Sequence, residues 1–171
     1  MIYLIGGASH TGKTLLAQRL LETYHYPYLS LDHLKMGLIR SGMTDLTVFD
    51  DEKMTDLLWP IAREMIKTAI ENHQNLILEG CYIPFEWRED FPEEYLPHIR
   101  DKWLIMSRAY IETHFSDIQS HASEIERRLD DSDLSMEDLI RQNEENLRQC
   151  ELHGCGYELI HEGYDISPDM G

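Results

Sequence analysis

Residues 1–14 read MIYLIGGASHTGKT, a short apolar run that stops at paired glycines, then a turn, then a lysine and a threonine. The first seven residues have the pattern of a buried strand entering a tight turn. From Lys13 to Tyr24, Leu16 and Leu20 with Leu15 and Leu21 make an apolar stripe that predicts a helix. Between them, Gly7-Ala8-Ser9-His10-Thr11-Gly12-Lys13-Thr14 satisfies the pattern G-x-x-x-x-G-K-[ST] in full. Glycines let the backbone fold its N–H groups around phosphates, and the helix N-terminus adds a partial positive charge. Lys13 then reaches the outer phosphates of a nucleotide, and the Thr14 hydroxyl joins the shell of a Mg²⁺ ion. A plain glycine turn with a solvated lysine would leave Lys13 and Thr14 unexplained together. Residues 7–14 are therefore expected to form a nucleotide site.

Pro27 stops the first helix before a second short strand, Tyr28 to Leu31, with Asp32 at its end and a short helix on to Arg40, closed by Gly42. Apolar residues at 54, 57, 58, 61, 62, 65, 66, 69 and 70 predict a long amphipathic helix. Pro60 inside it predicts a kink near Trp59 or two abutting helices. Asn75 to Gly80 is the third strand, and Cys81 to Asp101, with Pro84, Pro92 and Pro97, reads as a surface loop with at most short helices. A fourth strand, Trp103 to Ser107, precedes a helix with apolar positions 111, 115, 118, 122, 125 and 129. Another helix starts at Ser135 in a capping box with Asp138, and Gly154 or Gly156 ends it before a last strand, Tyr157 to Ile160. The tail from Tyr164 is expected to fray. Five strands alternating with helices predict an α/β fold: a doubly wound, five-stranded parallel sheet with helices on both faces.

The 171 residues carry 15 Lys+Arg against 32 Asp+Glu, a net charge of −17, and are 42% hydrophobic. That supplies one core and predicts one domain over residues 1–171. So strong an acidic balance repels phosphate backbones and anionic membranes, so no nucleic-acid and no membrane partner is expected. The apolar runs are too short for a membrane span and the N-terminus has no cleavable signal, which predicts a cytoplasmic protein, monomer or homodimer. Cys81, Cys150 and Cys155 lack C-x-x-C spacing and are expected to be free, buried thiols. His114 and His121 are spaced for one helix face and not for tight metal ligation.

The sequence has no Asn-Lys-x-Asp tetrad and no Asp-x-x-Gly after the third strand, which argues against a GTPase switch. It spends its residues on helices after each strand, which suits a compact small-molecule kinase. In the order of P-loop, acid-bearing second strand, third strand ending in Leu-Glu79-Gly80, and lid, it resembles the nucleoside monophosphate kinase-like group of P-loop phosphotransferases. Within that group it looks most like the branch containing chloramphenicol phosphotransferase, zeta-type toxin kinases and 2-phosphoglycerate kinase. The resemblance implies a P-loop NTPase fold with a small helical lid near 120–135, ATP and Mg²⁺ as cofactors, and a small-molecule hydroxyl acceptor. Adenylate kinase is also similar in Asp32-His33-Leu34-Lys35, but Cys81-Tyr82-Ile83 stands where that family has Phe-Pro-Arg, which weakens a nucleoside monophosphate as substrate.

The resemblance also assigns roles, each with a plainer alternative. Asp32 would be the base near the acceptor hydroxyl, or the N-cap of the following helix. Glu79 would hold Mg²⁺ with Thr14, or form an ion pair with Lys13 or Arg108. Arg127 and Arg128 would close over the transferred group from the lid, or be solvated charges balanced by nearby aspartates. Arg108 lies at the strand-end rim within reach of a phosphate, or pairs with Glu112. Lys35 and Arg40 face the acceptor side and would help if the acceptor is itself phosphorylated. Ser30 is a possible helper hydroxyl; Tyr82, Phe85 and Trp87 wall the acceptor pocket or pack on the sheet. The alternatives to such a kinase are a nucleoside or nucleoside monophosphate kinase and a nucleotide-binding regulatory protein with little turnover.

Overall fold

In the computed structural model, which describes residues 1–121 and 135–170, the opening apolar run forms β1 (Ile2–Gly7), the central strand of a five-stranded sheet. On one side lie β3 (Leu76–Glu79) and then β2 (Tyr28–Ser30); on the other lie β4 (Ile99–Met106) and then β5 (Tyr157–Ile160). Every pairing is parallel. The register sets Ser30 against Glu79 and Glu79 against Ile5, so β2, β3 and β1 end side by side. Ligands of open parallel sheets bind outside such carboxyl ends.

Side chains alternate across the pleat, and both faces are covered. Leu4, Leu78 and Ile105 turn to one face, where α3 (Asp51–Glu71) lays Met54, Leu58, Ala62 and Ile66 beside Trp87 and Phe91. Ile5, Ile77 and Leu104 turn to the other, onto Leu16 and Leu20 of α1 (Lys13–Tyr24). Ile111 of α4 (Arg108–His121) and Leu139 and Ile140 of α5 (Met136–His153) complete that cluster. Each fully buried Leu or Ile contributes about 1.5–3 kcal/mol, so the alternation is what holds the strands in register.

Several boundaries differ from the sequence reading. The second strand stops at Ser30, and Asp32 lies in the first turn of α2 (Leu31–Arg40); Ser30 is the cap residue, so Asp32 is not the N-cap. Pro60 neither splits α3 nor starts a second helix: one helix of 21 residues carries it on its exposed face, while buried Trp59 anchors that turn by donating to Asp90 Oδ2 at 2.7 Å. The fourth strand begins at Ile99, because pairing with β1 starts at Ile2 and extends through the polar Arg100-Asp101-Lys102 that reads as loop. Within the preceding loop only Trp87–Asp90 and Leu96–His98 form short 3₁₀ turns. In α4, His114 has non-helical torsions (φ −116°, ψ 17°), and its ring stacks on Tyr110 at 4.3 Å between centroids. Ser135 caps α5 by accepting from Asp138 N at 3.3 Å, and Gly154 closes it in a left-handed conformation.

The largest departure is the tail. It is not frayed: Ile166 and Met170 are buried in the α1–α4–α5 cluster. Arg19 donates to Ile166 O at 3.0 Å, and Lys102 reaches the carbonyls of Ser167 and Asp169. The expected lid and the arginines at 127 and 128 lie outside the described residues. No helix among the described residues is long and apolar enough to cross a membrane.

Candidate functional site

The loop between β1 and α1 is closed on itself. Lys13 is only 5% exposed, and its ammonium donates to Ala8 O at 2.7 Å; Thr11 Oγ1 donates to the same carbonyl at 2.9 Å. That carbonyl parks the lysine charge on the loop, at the place from which a phosphate oxygen would draw it. Gly12 is the N-cap of α1 with φ 84°, a left-handed torsion that costs a residue with a Cβ. Two residues from outside the motif brace the loop. Asn146 of α5, in the amide orientation that satisfies both its ends, accepts from Ala8 N at 3.0 Å and donates to Gln142 O at 3.2 Å. Tyr164 of the tail donates its hydroxyl to Thr11 O at 3.0 Å and stands over Gly12, where any Cβ would collide with it. Burial pushes the Tyr164 hydroxyl up to about 12.

Thr14 opens the first turn of α1, and its Oγ1 donates to Glu79 Oε1 at 3.5 Å. Glu79 ends β3 and is 1% exposed. A buried carboxylate beside a hydroxyl is a pair of hard oxygen donors, the chemistry that Mg²⁺ accepts when phosphates complete its shell. The residues present therefore fit that ion together with a nucleotide. Opposite Glu79, the Ser30 hydroxyl is 1% exposed and finds no hydrogen-bond partner among the described residues, an uncommon state for a buried polar atom.

A second cluster borders the same strand ends. Asp32 Oδ1 pairs with Lys35 Nζ at 2.9 Å, Lys35 donates to the Tyr82 hydroxyl at 2.6 Å, and that hydroxyl donates to Asp51 Oδ1 at 3.0 Å. The chain joins α2, the segment after β3 and the first residue of α3. Burial, with Asp32 and Asp51 adding to it, holds the Tyr82 proton far above the usual phenol range.

Of the expected site residues, the fold brings Gly7 through Thr14, Glu79, Ser30, Asp32, Lys35 and Tyr82 to the ends of β1, β2 and β3. Arg108 is 55% exposed and committed to carboxylates: Glu144 at 2.8 Å, with the expected Glu112 further off at 3.8 Å. Arg40 lies exposed at the far end of α2, and Phe85 and Trp87 pack on the sheet, Phe85 stacking on Trp103 at 5.5 Å. Cys150 and Cys155 are buried and Cys81 is exposed; all three are free thiols. Among the described residues no group of His, Cys, Asp and Glu could hold a metal unaided. Sequence reasoning missed Asp51, Asn146 and Tyr164; Asn146 falls beside the apolar position 147 of its helix, where a polar residue carries no signal.

No protein-family profile and no curated protein matches the chain. Solved structures do. A protein from Chloroflexus aurantiacus provisionally designated a kinase superposes with a TM-score of 0.52 at 17% identity, over 98% of this chain and 91% of that one. Deoxyadenosine kinase from M. mycoides, solved with dCMP and dCDP, superposes with a TM-score of 0.52 at 15% identity, over 94% and 90% of the two chains. The likeness is one of fold: a five-stranded parallel sheet with helices on both faces.

Proposed function

We propose that this chain is a phosphotransferase of the P-loop kinase kind, moving the γ-phosphoryl group of ATP to a hydroxyl of a small metabolite with Mg²⁺. The observation that carries the reading is the complete loop from Gly7 to Thr14 with Glu79 against Thr14 and a carboxylate, Asp32, in the first turn of the helix that follows the neighbouring strand. The two superposed proteins, one of them a nucleoside kinase by name, support a kinase in general. The choice of ATP and the branch with chloramphenicol phosphotransferase and 2-phosphoglycerate kinase rest on the sequence resemblance.

In this reading the backbone N–H groups of residues 9–14 and Lys13 grip the phosphates, Lys13 leaving Ala8 O for a phosphate oxygen. Thr14 and Glu79 would hold Mg²⁺, which neutralises charge on the outer phosphates when bound. Asp32 orients the acceptor hydroxyl and takes its proton as the oxygen bonds to phosphorus and the bond to the bridging oxygen breaks, releasing ADP. Lys35 holds Asp32 in place for that task. Arg127 and Arg128 would add positive charge over the transferred group.

The test is transfer of labelled phosphate from ATP with Mg²⁺ to a panel of hydroxyl compounds, including nucleosides, sugars and glycerates, with the native chain and Asp32→Asn. Product from the native chain alone supports the reading and the role of Asp32. Tight nucleotide binding with no product from any acceptor, unchanged by Asp32→Asn, favours a nucleotide-binding regulator instead.

A further inference from the structure

The acceptor side of the crevice has a charge pattern that selects a class of acceptor, on the premise that the chain is the phosphotransferase proposed above. Between Leu31 and Leu58 the sequence holds Lys35, Arg40 and Lys53 against Asp32, Asp45, Asp50, Asp51, Glu52 and Asp56. Only Lys35 among those cations belongs to the cluster at the strand ends. Lys53 is 73% exposed and paired with Asp50 at 3.6 Å, and Arg40 lies five residues beyond Lys35, off its helical face.

Lys35 is itself already spent. Its side chain is 13% exposed, with the ammonium between Asp32 at 2.9 Å and the Tyr82 hydroxyl at 2.6 Å, and that hydroxyl donates to Asp51 at 3.0 Å. One cation shared by two carboxylates leaves the cluster net negative. The buried hydroxyl of Ser30, without a partner among the described residues, and buried Glu79 lie on the neighbouring strand ends. A phosphate or carboxylate on the acceptor would have to approach Asp32 and Asp51 for the sake of an ammonium they have already neutralised. A hydroxyl or an ammonium can instead donate to these carboxylates.

We propose that the acceptor is uncharged or cationic, a polyol or an amino alcohol, and that phosphorylated and carboxylated acceptors are rejected, with Asp51 a residue that sets this specificity. The opposite assignment, Lys35 as the grip for an acceptor phosphate, would leave the ammonium in reach of the ligand; Asp32 and Tyr82 hold it away.

The experiment uses the full chain with Mg²⁺ and labelled ATP and compares pairs that share a skeleton: glycerol with glycerol 3-phosphate, ribose with ribose 5-phosphate, and serinol with glycerate. The expected kcat/KM favours the uncharged or cationic member by about ten-fold or more, the scale of one like-charge contact near a protein surface. Asp51→Asn keeps the oxygen that accepts from Tyr82 and removes the charge, so the preference should narrow by about three-fold or more, with nucleotide affinity as in the native chain by calorimetry. Equal or better use of the anionic member of any pair overturns the acceptor class and leaves the phosphotransferase reading standing. A preference unmoved by Asp51→Asn in a folded variant overturns the role of Asp51. A chain that binds ATP and phosphorylates no member of any pair overturns the premise itself.

Discussion

Lys13 keeps a charge at 5% exposure by donating to a single carbonyl, Ala8 O, and a bound phosphate would replace that partner with a stronger one. Lys13→Ala should therefore weaken ATP binding by about ten- to a hundred-fold, the worth of a charged hydrogen bond, as read by calorimetry. Tyr164 gives a pH signature. Its hydroxyl is raised from 10.0 to about 12 in the fold, so the native state holds the phenolic proton more tightly than the unfolded chain does. The stability this contributes is fully present below pH 10 and is lost as pH rises toward about 12. Denaturation midpoints across that range should fall more steeply for the native chain than for Tyr164→Phe. The place of Lys13 and Thr14 at the start of α1 is legible in the sequence because the pattern that marks it is written within eight consecutive residues. Tyr164 is not, because its partner Thr11 lies 153 positions away and nothing near Tyr164 marks it.

At the scale of the element, α5 is tied to the sheet by one buried amide. Asn143 accepts from Met106 N at 2.8 Å and donates to Leu139 O at 2.8 Å, and it is fully buried. Asn143→Ala should cost about 1–3 kcal/mol by leaving the Met106 amide unpaired. Urea titration should show a lower midpoint at unchanged slope. In the sequence Asn143 is a polar residue in line with the apolar positions 136, 139, 140, 147 and 150, yet that stripe cannot say which backbone group it serves. The same limit hid the start of β4: Arg100-Asp101-Lys102 reads as loop by composition, and only the presence of β1 alongside makes it strand. Of the two readings of Pro60 the pair of abutting helices fails, since a proline on the exposed face of a 21-residue helix costs a hydrogen bond that buried Trp59 and its neighbours offset by packing. The end of the second strand is misplaced by one residue, because periodicity locates a strand end only within a residue or two.

For the whole molecule, a charge of −17 means that the folded state works against its own repulsion. Raising monovalent salt from about 0.01 M to about 1 M shortens the screening length from roughly 30 Å to 3 Å, so the melting temperature should climb. The gain should be about 2–4 °C for each kcal/mol of repulsion removed, as read by calorimetric scans without nucleotide. The strand order has a consequence of another kind, in time. β1 needs β3 on one edge and β4 on the other. The interval between synthesis of Gly7 and Ile99 is about 5–20 s at about 5–20 residues per second. Until Glu79 is made both hydrogen-bonding edges of the uncharged stretch MIYLIGG lack a mate, and until Ile99 one still does, so it is the segment that a holding chaperone would have reason to grasp. A substitution that leaves the finished fold untouched but lengthens that wait should therefore lower the yield of folded protein.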